Sequence, residues 1–226
     1  MSNSILRTRH SARAFKNKEI SDDIIKKIIA DAQWAPSWCN SQPWKAYVLT
    51  GDAAKKMHTL HHANVVSGEK SWTEVVPPQF TTNDWTEGEW ENMVDFWKAA
   101  DVSPYPEDEP QDKLGFMEES SWNFHAPVII YITIPKNATM FSAYDVGAFG
   151  YGVTLAAHER GISAIPAYEF IRYPKEIRPF FNIPEDEAIF MGIGLGYAQE
   201  NNDLNKINEF EKNPRAKTED ILQIVK

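Results

Sequence analysis

Arg7-Thr8-Arg9-His10-Ser11-Ala12-Arg13 gathers three guanidinium groups, an imidazole and two hydroxyls on one short stretch of chain. An extended or turning backbone would put Arg7, Arg9, Ser11 and Arg13 on one side, and the planar donor fork of a guanidinium suits phosphate. Composition alone also allows a solvated basic arm or a nonspecific polyanion contact. The flanking residues argue for an ordered anion site. Phe15 and Ile20 are apolar anchors, and Ser21-Asp22-Asp23 offers a helix N-cap followed by an acidic first turn.

Other candidate chemistry is sparser. Ala35-Pro36-Ser37-Trp38-Cys39-Asn40-Ser41-Gln42-Pro43-Trp44 is a loop by its prolines and small polar residues, yet it carries two large flat side chains that could wall a ligand. Trp44, beside a strand expected from Ala46 to Thr50, is expected to plug the core; Trp38 is left open to a ligand role. His58 and His62 share a helix face but lack a third ligand at metal spacing, so solvated surface histidines are expected. Cys39 is the single cysteine, which rules out an internal disulfide framework and a cysteine-rich zinc site and suits a small inert space-filler. Gly192, Gly194 and Gly196 do not form a dinucleotide fingerprint, because the third-glycine offset and the following helix are missing.

The elements that must position these residues follow from pattern and punctuation. Ile24, Ile25, Ile28, Ile29 and Ala32 recur at helical spacing and stop before Pro36. Asp52 is expected to cap a helix running toward His62. Pro127 to Ile134 is a continuous β-branched run and reads as a central strand. Tyr144 to Arg160 reads as a helix ending at Gly161, with Gly147, Gly150 and Gly152 implying that a neighbour, most simply another helix or a second subunit, approaches closely. Ile162 to Ala167 reads as a short strand that turns at Pro166-Ala167-Tyr168-Glu169 rather than extending its ladder. Ala188 to Tyr197 reads as a buried strand whose glycines admit a neighbouring backbone or ring. Beyond it the chain is polar, and Asn213-Pro214-Arg215-Ala216-Lys217 adds a second basic cluster.

The chain has 226 residues, 42% hydrophobic and 24% charged, enough for one sizeable domain over 1–226. A net charge of -9 argues against a nucleic-acid surface over the whole protein; no run reaches transmembrane length, and no signal peptide is evident, so a cytoplasmic location is expected. Charge is uneven. Residues 69–119 hold fourteen Asp and Glu against Lys70, Lys98 and Lys113, a net of -11, which leaves +2 elsewhere. That stretch also carries Trp72, Trp85, Trp90 and Trp97 and is broken by Pro77, Pro78, Pro104, Pro106 and Pro110. It reads as an insertion with one amphipathic helix around Glu89 to Ala99, covering part of the core. Strands interspersed with helices indicate an α+β domain with a helix-sandwiched sheet.

RHSARAF (Arg9 to Phe15), APSWCNSQPW (Ala35 to Trp44), the DVG-bearing helix (Asp145 to Gly147), AIPAYEF (Ala164 to Phe170) and a late RAK (Arg215 to Lys217) resemble, in order and interval, the FMN-dependent nitroreductase family. The resemblance covers nearly all the chain except about Leu60 to Trp122. It implies a central, mainly antiparallel sheet flanked by helices, and an intertwined homodimer with two FMN sites at the subunit interface. Carried over by position, Arg9 and Ser11 would hold phosphate or ribityl oxygens, with His10 contributing through backbone or ring. Arg13 would sit near flavin N1 and O2. Ser37, Trp38 and Asn40 would lie along the ring and ribityl chain, Asn40 from the opposite subunit. Pro166 would lie against one flavin face, the amides of Tyr168 and Glu169 would be candidate donors to N5, and Arg215 and Lys217 would close on phosphate.

The activity so implied is hydride transfer from NADH or NADPH through flavin N5 to nitroaromatic, quinone or similar electron-poor acceptors, by a ping-pong sequence. No protein nucleophile is needed, so orientation and electrostatics carry the rate. Two departures stand out: Phe141 or Ser142 falls where many relatives place a polar flavin contact, and Tyr168 stands where some have glutamate. The acidic insertion is expected to select the acceptor. A flavin-binding protein with little turnover, or another flavin chemistry such as enoate reduction or reductive dehalogenation, would satisfy the same motifs.

Overall fold

The unbroken apolar run proves to be buried on both faces. In β2 (Val128–Pro135) the residues Val128, Ile130, Ile132 and Ile134 enter one core cluster, while Ile129 and Tyr131 enter another across the sheet. A strand with no face toward water has no polar alternation. Its partners are β1 (Lys45–Thr50) and β4 (Glu187–Gly196), with β3 (Ser163–Ala167) beyond β4; every neighbouring pair in the order β1-β2-β4-β3 is antiparallel. The computed structural model describes residues 4–75, 87–99, 115–206 and 215–226.

Helices cover both faces. After the turn α1 (Ile5–Thr8) comes α2 (Asp22–Ala32), which begins at Ser21 as expected, although the Ser21 hydroxyl makes no cap hydrogen bond. The helix α3 (Gly51–Val66) is capped by Thr50 rather than by Asp52, which sits inside the first turn. The acidic stretch 69–119 contains α4 (Glu87–Ala99) and the start of α5 (Gly115–Ser121). The expected prolines of the insertion and Trp85 lie outside the described residues. Then come α6 (Met140–His158), α7 (Pro174–Ile177), α8 (Asp203–Lys206) and α9 (Thr218–Ile221). One core cluster packs α2 and α6 on the sheet, and Trp44 closes it by stacking on Phe149 at 4.9 Å. The other holds Met57 of α3, Ile177 of α7 and Phe170.

Several expectations need correction or refinement. Helix α6 starts at Met140, four residues before the expected Tyr144, where Thr139 accepts from the Ser142 N–H. It ends at His158, two residues short of the expected Arg160, and the turn beyond it closes through Gly161, at φ +68°, with Gly161 N–H donating to His158 O and Ile162 N–H to Ala157 O. Its glycines differ in their neighbours: a Cβ on Gly152 would meet the Ala32 backbone of α2 at 3.3 Å and one on Gly150 would meet Ile132 Cδ1 of the sheet at 3.5 Å, whereas Gly147 faces open space. Pro166 and Ala167 do not leave the ladder but pair with Ile193 and Gly192. A proline N can do so because β3 lies at the end of the sheet order and needs no second partner there. The glycines of β4 do admit rings: a Cβ on Gly194 would lie 2.6 Å from Phe170 Cζ, and one on Gly196 would lie 2.5 Å from Phe15 Cδ1. Finally, the histidines of α3 are not solvated. His58 is buried and within 3.1 Å of Ala126 O, and His62 stacks on Trp122. Cys39 is exposed rather than filling space.

Candidate active site

The basic segment is tied down along its length. Thr8 Oγ1 lies 3.0 Å from His158 Nε2 at the end of α6, and His10 Nδ1 lies 3.2 Å from Thr8 O. Ser11 bridges Ala164 of β3, Ala12 N–H donates to Ala164 O, and Lys16 N–H donates to Tyr197 O. The Arg9 guanidinium stands over the Tyr151 ring at 5.7 Å, and its Nε is buried without a hydrogen-bond partner. The field here is positive: His158 is held below the ordinary histidine range by burial and then by the nearby His10 and Arg9 charges. A buried donor without acceptor, in a positive field, is what an anion would complete.

Arg13 is only 8% exposed. Burial lowers its pKa to about 10, which still leaves a cation at neutral pH. Its guanidinium lies 5.3 Å from the Phe96 ring of α4 and 6.0 Å from the Phe116 ring of α5, and donates to Ser11 O at 3.3 Å. Aromatic contacts lead from there to the turn after β3: Phe116 to Phe124, and Phe124 to Phe170, each at 6.1 Å. Asn205, which the sequence reading passed over, fixes the backbone beneath. Its Oδ1 accepts from the Arg13 and Ala14 N–H groups at 2.6 and 3.2 Å, and its Nδ2 donates to Ala14 O and Gln199 O, both at 2.9 Å. One asparagine among polar residues of a short helix, distant in sequence from Arg13, carries no local signal.

Pro166 is exposed on β3, and the 3-10 turn Tyr168–Ile171 follows at once. The leading N–H groups of such a turn have no partner within it. Its side chains are anchored: Phe170 packs under β4, and the Glu169 carboxylate receives Arg172 Nη1 at 2.7 Å and faces His61 Nε2 at 3.3 Å. Thus Ser11, Arg13, Pro166, Tyr168 and Glu169 belong to one continuous neighbourhood.

Ser37, Trp38 and Asn40 do not join it. They sit at the first half of α6, where Trp38 N–H donates to Asp145 Oδ2 at 2.9 Å and the Trp38 ring meets Phe141 at 4.8 Å. Asn40 at φ +59° and Ser37 fold the loop back through Gln42, whose N–H and side-chain amide donate to Ser37 Oγ and Asn40 Oδ1. Pro36, Ser37, Trp38, Met140, Phe141, Tyr144 and Asp145 line an open, mostly apolar cavity of about 620 Å³. Arg9 touches α6 at Tyr151 and Thr8 touches it at His158, about 9 and 20 Å further along the axis than Asp145 at 1.5 Å per residue. Arg215 and Lys217 stand on a tail whose described residues, 215–226, are exposed throughout. Among the described residues no group of three or more His, Cys, Asp or Glu is placed to hold a metal ion, and no helix is long and apolar enough to cross a membrane.

Known proteins give this geometry a context. A 4-nitrobenzoate reductase of Pseudomonas putida is 30% identical over 206 residues, covering 90% of this chain and 88% of that protein. A nitrobenzene nitroreductase of Ectopseudomonas oleovorans is 26% identical over 197 residues, covering 86% and 85%. In fold, the chain resembles the FMN-dependent nitroreductase NfnB of Mycobacterium smegmatis, solved in complex with NADPH, with a TM-score of 0.85 over 98% of this chain and 96% of that one at 21% identity. The model of the nitroreductase family matches residues 6–197, a span that takes in the Arg9 segment, the Trp38 loop, Asp145 and the turn after Pro166; the chain belongs to the nitroreductase family.

Proposed function

We propose that the protein is an FMN-dependent nitroreductase of the cytoplasm that works as a homodimer. The buried, unpartnered Arg9 Nε carries this reading, since it leaves a charged donor awaiting an anion beside Ser11 and His10. Arg9, His10 and Ser11 would hold the phosphate and ribityl oxygens, with Arg215 and Lys217 closing over them. Bound there, FMN supplies two-electron chemistry, by which NADH or NADPH reduces an electron-poor acceptor such as a nitroaromatic or quinone in a ping-pong sequence.

The chain's own groups do the positioning. Arg13, cationic and screened from water by Phe96 and Phe116, offers fixed positive charge where negative charge gathers on the N1 and O2 edge. Asn205 holds the Arg13 backbone. The N–H groups of Tyr168 and Glu169 are the donors proposed for N5, and Pro166 backs the ring. Ser37, Trp38 and Asn40 reach the cofactor from the second subunit, because within one chain they sit apart from Arg9 along α6. The exposed side chains of Trp38, Met140, Phe141 and Tyr144 supply an apolar surface for that contact. No side chain is needed as a nucleophile.

The decisive experiment is the visible spectrum of the purified protein before and after anaerobic NADH and NADPH. Flavin absorbance that bleaches with either donor and returns with a nitroaromatic is expected. A yellow protein that neither donor bleaches would leave a flavin-binding protein without turnover, and no flavin uptake on reconstitution would remove the cofactor.

A further inference from the structure

Four of the six histidines meet where α3 packs against α5 and the turn after β3. His58 approaches Ala126 O, while His62 approaches Ser121 Oγ at 2.9 Å and stacks with Trp122 at 3.9 Å. Trp122 in turn stacks with His125 at 5.4 Å. His61 is different. It is 3% exposed, its Nδ1 lies 2.7 Å from Ser121 O, and its Nε2 lies 3.0 Å from Glu169 O and 3.3 Å from Glu169 Oε1. Carbonyl and carboxylate oxygens only accept, and a neutral imidazole has one N–H. Both ring nitrogens are satisfied only when both carry protons, and burial leaves little room for water to substitute.

We propose that His61 is the positioning residue of the Tyr168–Ile171 turn: doubly protonated, it ties Glu169, and with it the amides assigned to the flavin, to the carbonyl end of α5. This rests on the flavin reading above. Glu169 is fixed from its other side by Arg172, so the turn is held between a guanidinium and an imidazolium. The charged and titratable groups facing His61 are His58 on its own helix, Glu169 and Arg172 from the turn, and the Tyr173 ring at 5.2 Å; α5 presents the Ser121 carbonyl. Burial draws the His61 pKa below the ordinary value, against the pull of Glu169 and the two carbonyls, with Arg172 adding to the lowering. The clamp therefore closes as pH falls below the usual histidine range and loses one of its two contacts above it.

The test compares FMN dissociation constants of wild type, His61→Gln and Glu169→Gln between about pH 5 and pH 8, alongside ¹⁵N spectra of the histidine rings in the FMN-loaded wild type. FMN's own phosphate titrates in this window, so the ratio of variant to wild type is the quantity read. The expected result is a ratio near one at the alkaline end, rising to about tenfold for His61→Gln at the acid end. A smaller rise is expected for Glu169→Gln, together with a ring that gains its second proton over the same interval. A flat ratio for both variants, or a His61 ring that keeps one proton throughout, overturns the proposal. If His61→Gln does not fold, the Glu169→Gln ratio and the ring titration still decide it. Wild type that fails to retain FMN at any pH overturns the flavin reading and this inference together, an outcome distinct from retained FMN with a flat ratio.

Discussion

The two halves of the proposed site are built differently. Around Arg13 and Glu169 each charged group is buried or bonded: Asn205 holds the backbone, Arg172 and His61 hold the carboxylate, and rings fill the spaces over the β4 glycines. Around Trp38 the backbone is just as defined, through Asp145 and Gln42, yet Trp38 is 61%, Phe141 60% and Tyr144 74% exposed. The first half is finished within the chain; the second is shaped but uncovered. A surface whose backbone is ordered and whose apolar side chains face solvent is one prepared for a partner, and the partner proposed is a second copy.

Charge placed on the open half breaks the comparison most sharply. Phe141→Asp together with Tyr144→Asp should leave the unfolding free energy of the separated subunit within about 0.5 kcal/mol, as for exposed positions, while weakening dimerisation and FMN retention by about a thousandfold or more, since the charges would be buried unpaired in the dimer. Sedimentation and flavin fluorescence measure these; a dimeric, yellow double variant would take the Trp38 face out of the site. The closed half should respond in the opposite sense. Gly192→Ala drives a methyl into Phe170 and should cost about 2 to 3 kcal/mol in urea unfolding, and an unchanged midpoint would mean that the turn is not seated as tightly as its contacts indicate.

Smaller effects separate the roles of the two arginines. Arg9→Ala should weaken FMN binding by about 1.5 to 3 kcal/mol with stability nearly unchanged, and unaltered affinity would remove Arg9 from the phosphate. Arg13→Gln should bind FMN but lower its midpoint potential, by about 1 kcal/mol of lost preference for the reduced form. A redox titration that matches wild type would detach Arg13 from the N1 edge.

How much of this was legible depends on whether the signal was local. The Ser21 start of α2, the Gly161 turn beyond α6 and the doubly buried β2 follow from short-range pattern, and the glycines of β4 correctly announced close packing. The basic segment drew attention in the sequence because its residues are contiguous, and the anion site placed there is the proposal. Asn205 and His61 were not readable, since each acts on a residue more than a hundred positions away in sequence and sits in a helix without a strong apolar stripe. His58, on the same helix, was misjudged as solvated for the related reason that histidines there take places usually filled by aliphatic side chains. Pro166 was judged a ladder breaker because strand order, which puts β3 at the end of the sheet, is a tertiary fact.

The stacking of Trp122 with both His62 and His125 gives the molecule an internal optical gauge. Rings stacked on an excited indole alter its emission, so the light from this tryptophan should change when the stack is disturbed. Subtracting the signal of Trp122→Phe would isolate that emission from the other seven tryptophans. The joint between α5 and α3 could then be followed in real time during turnover, without any added label.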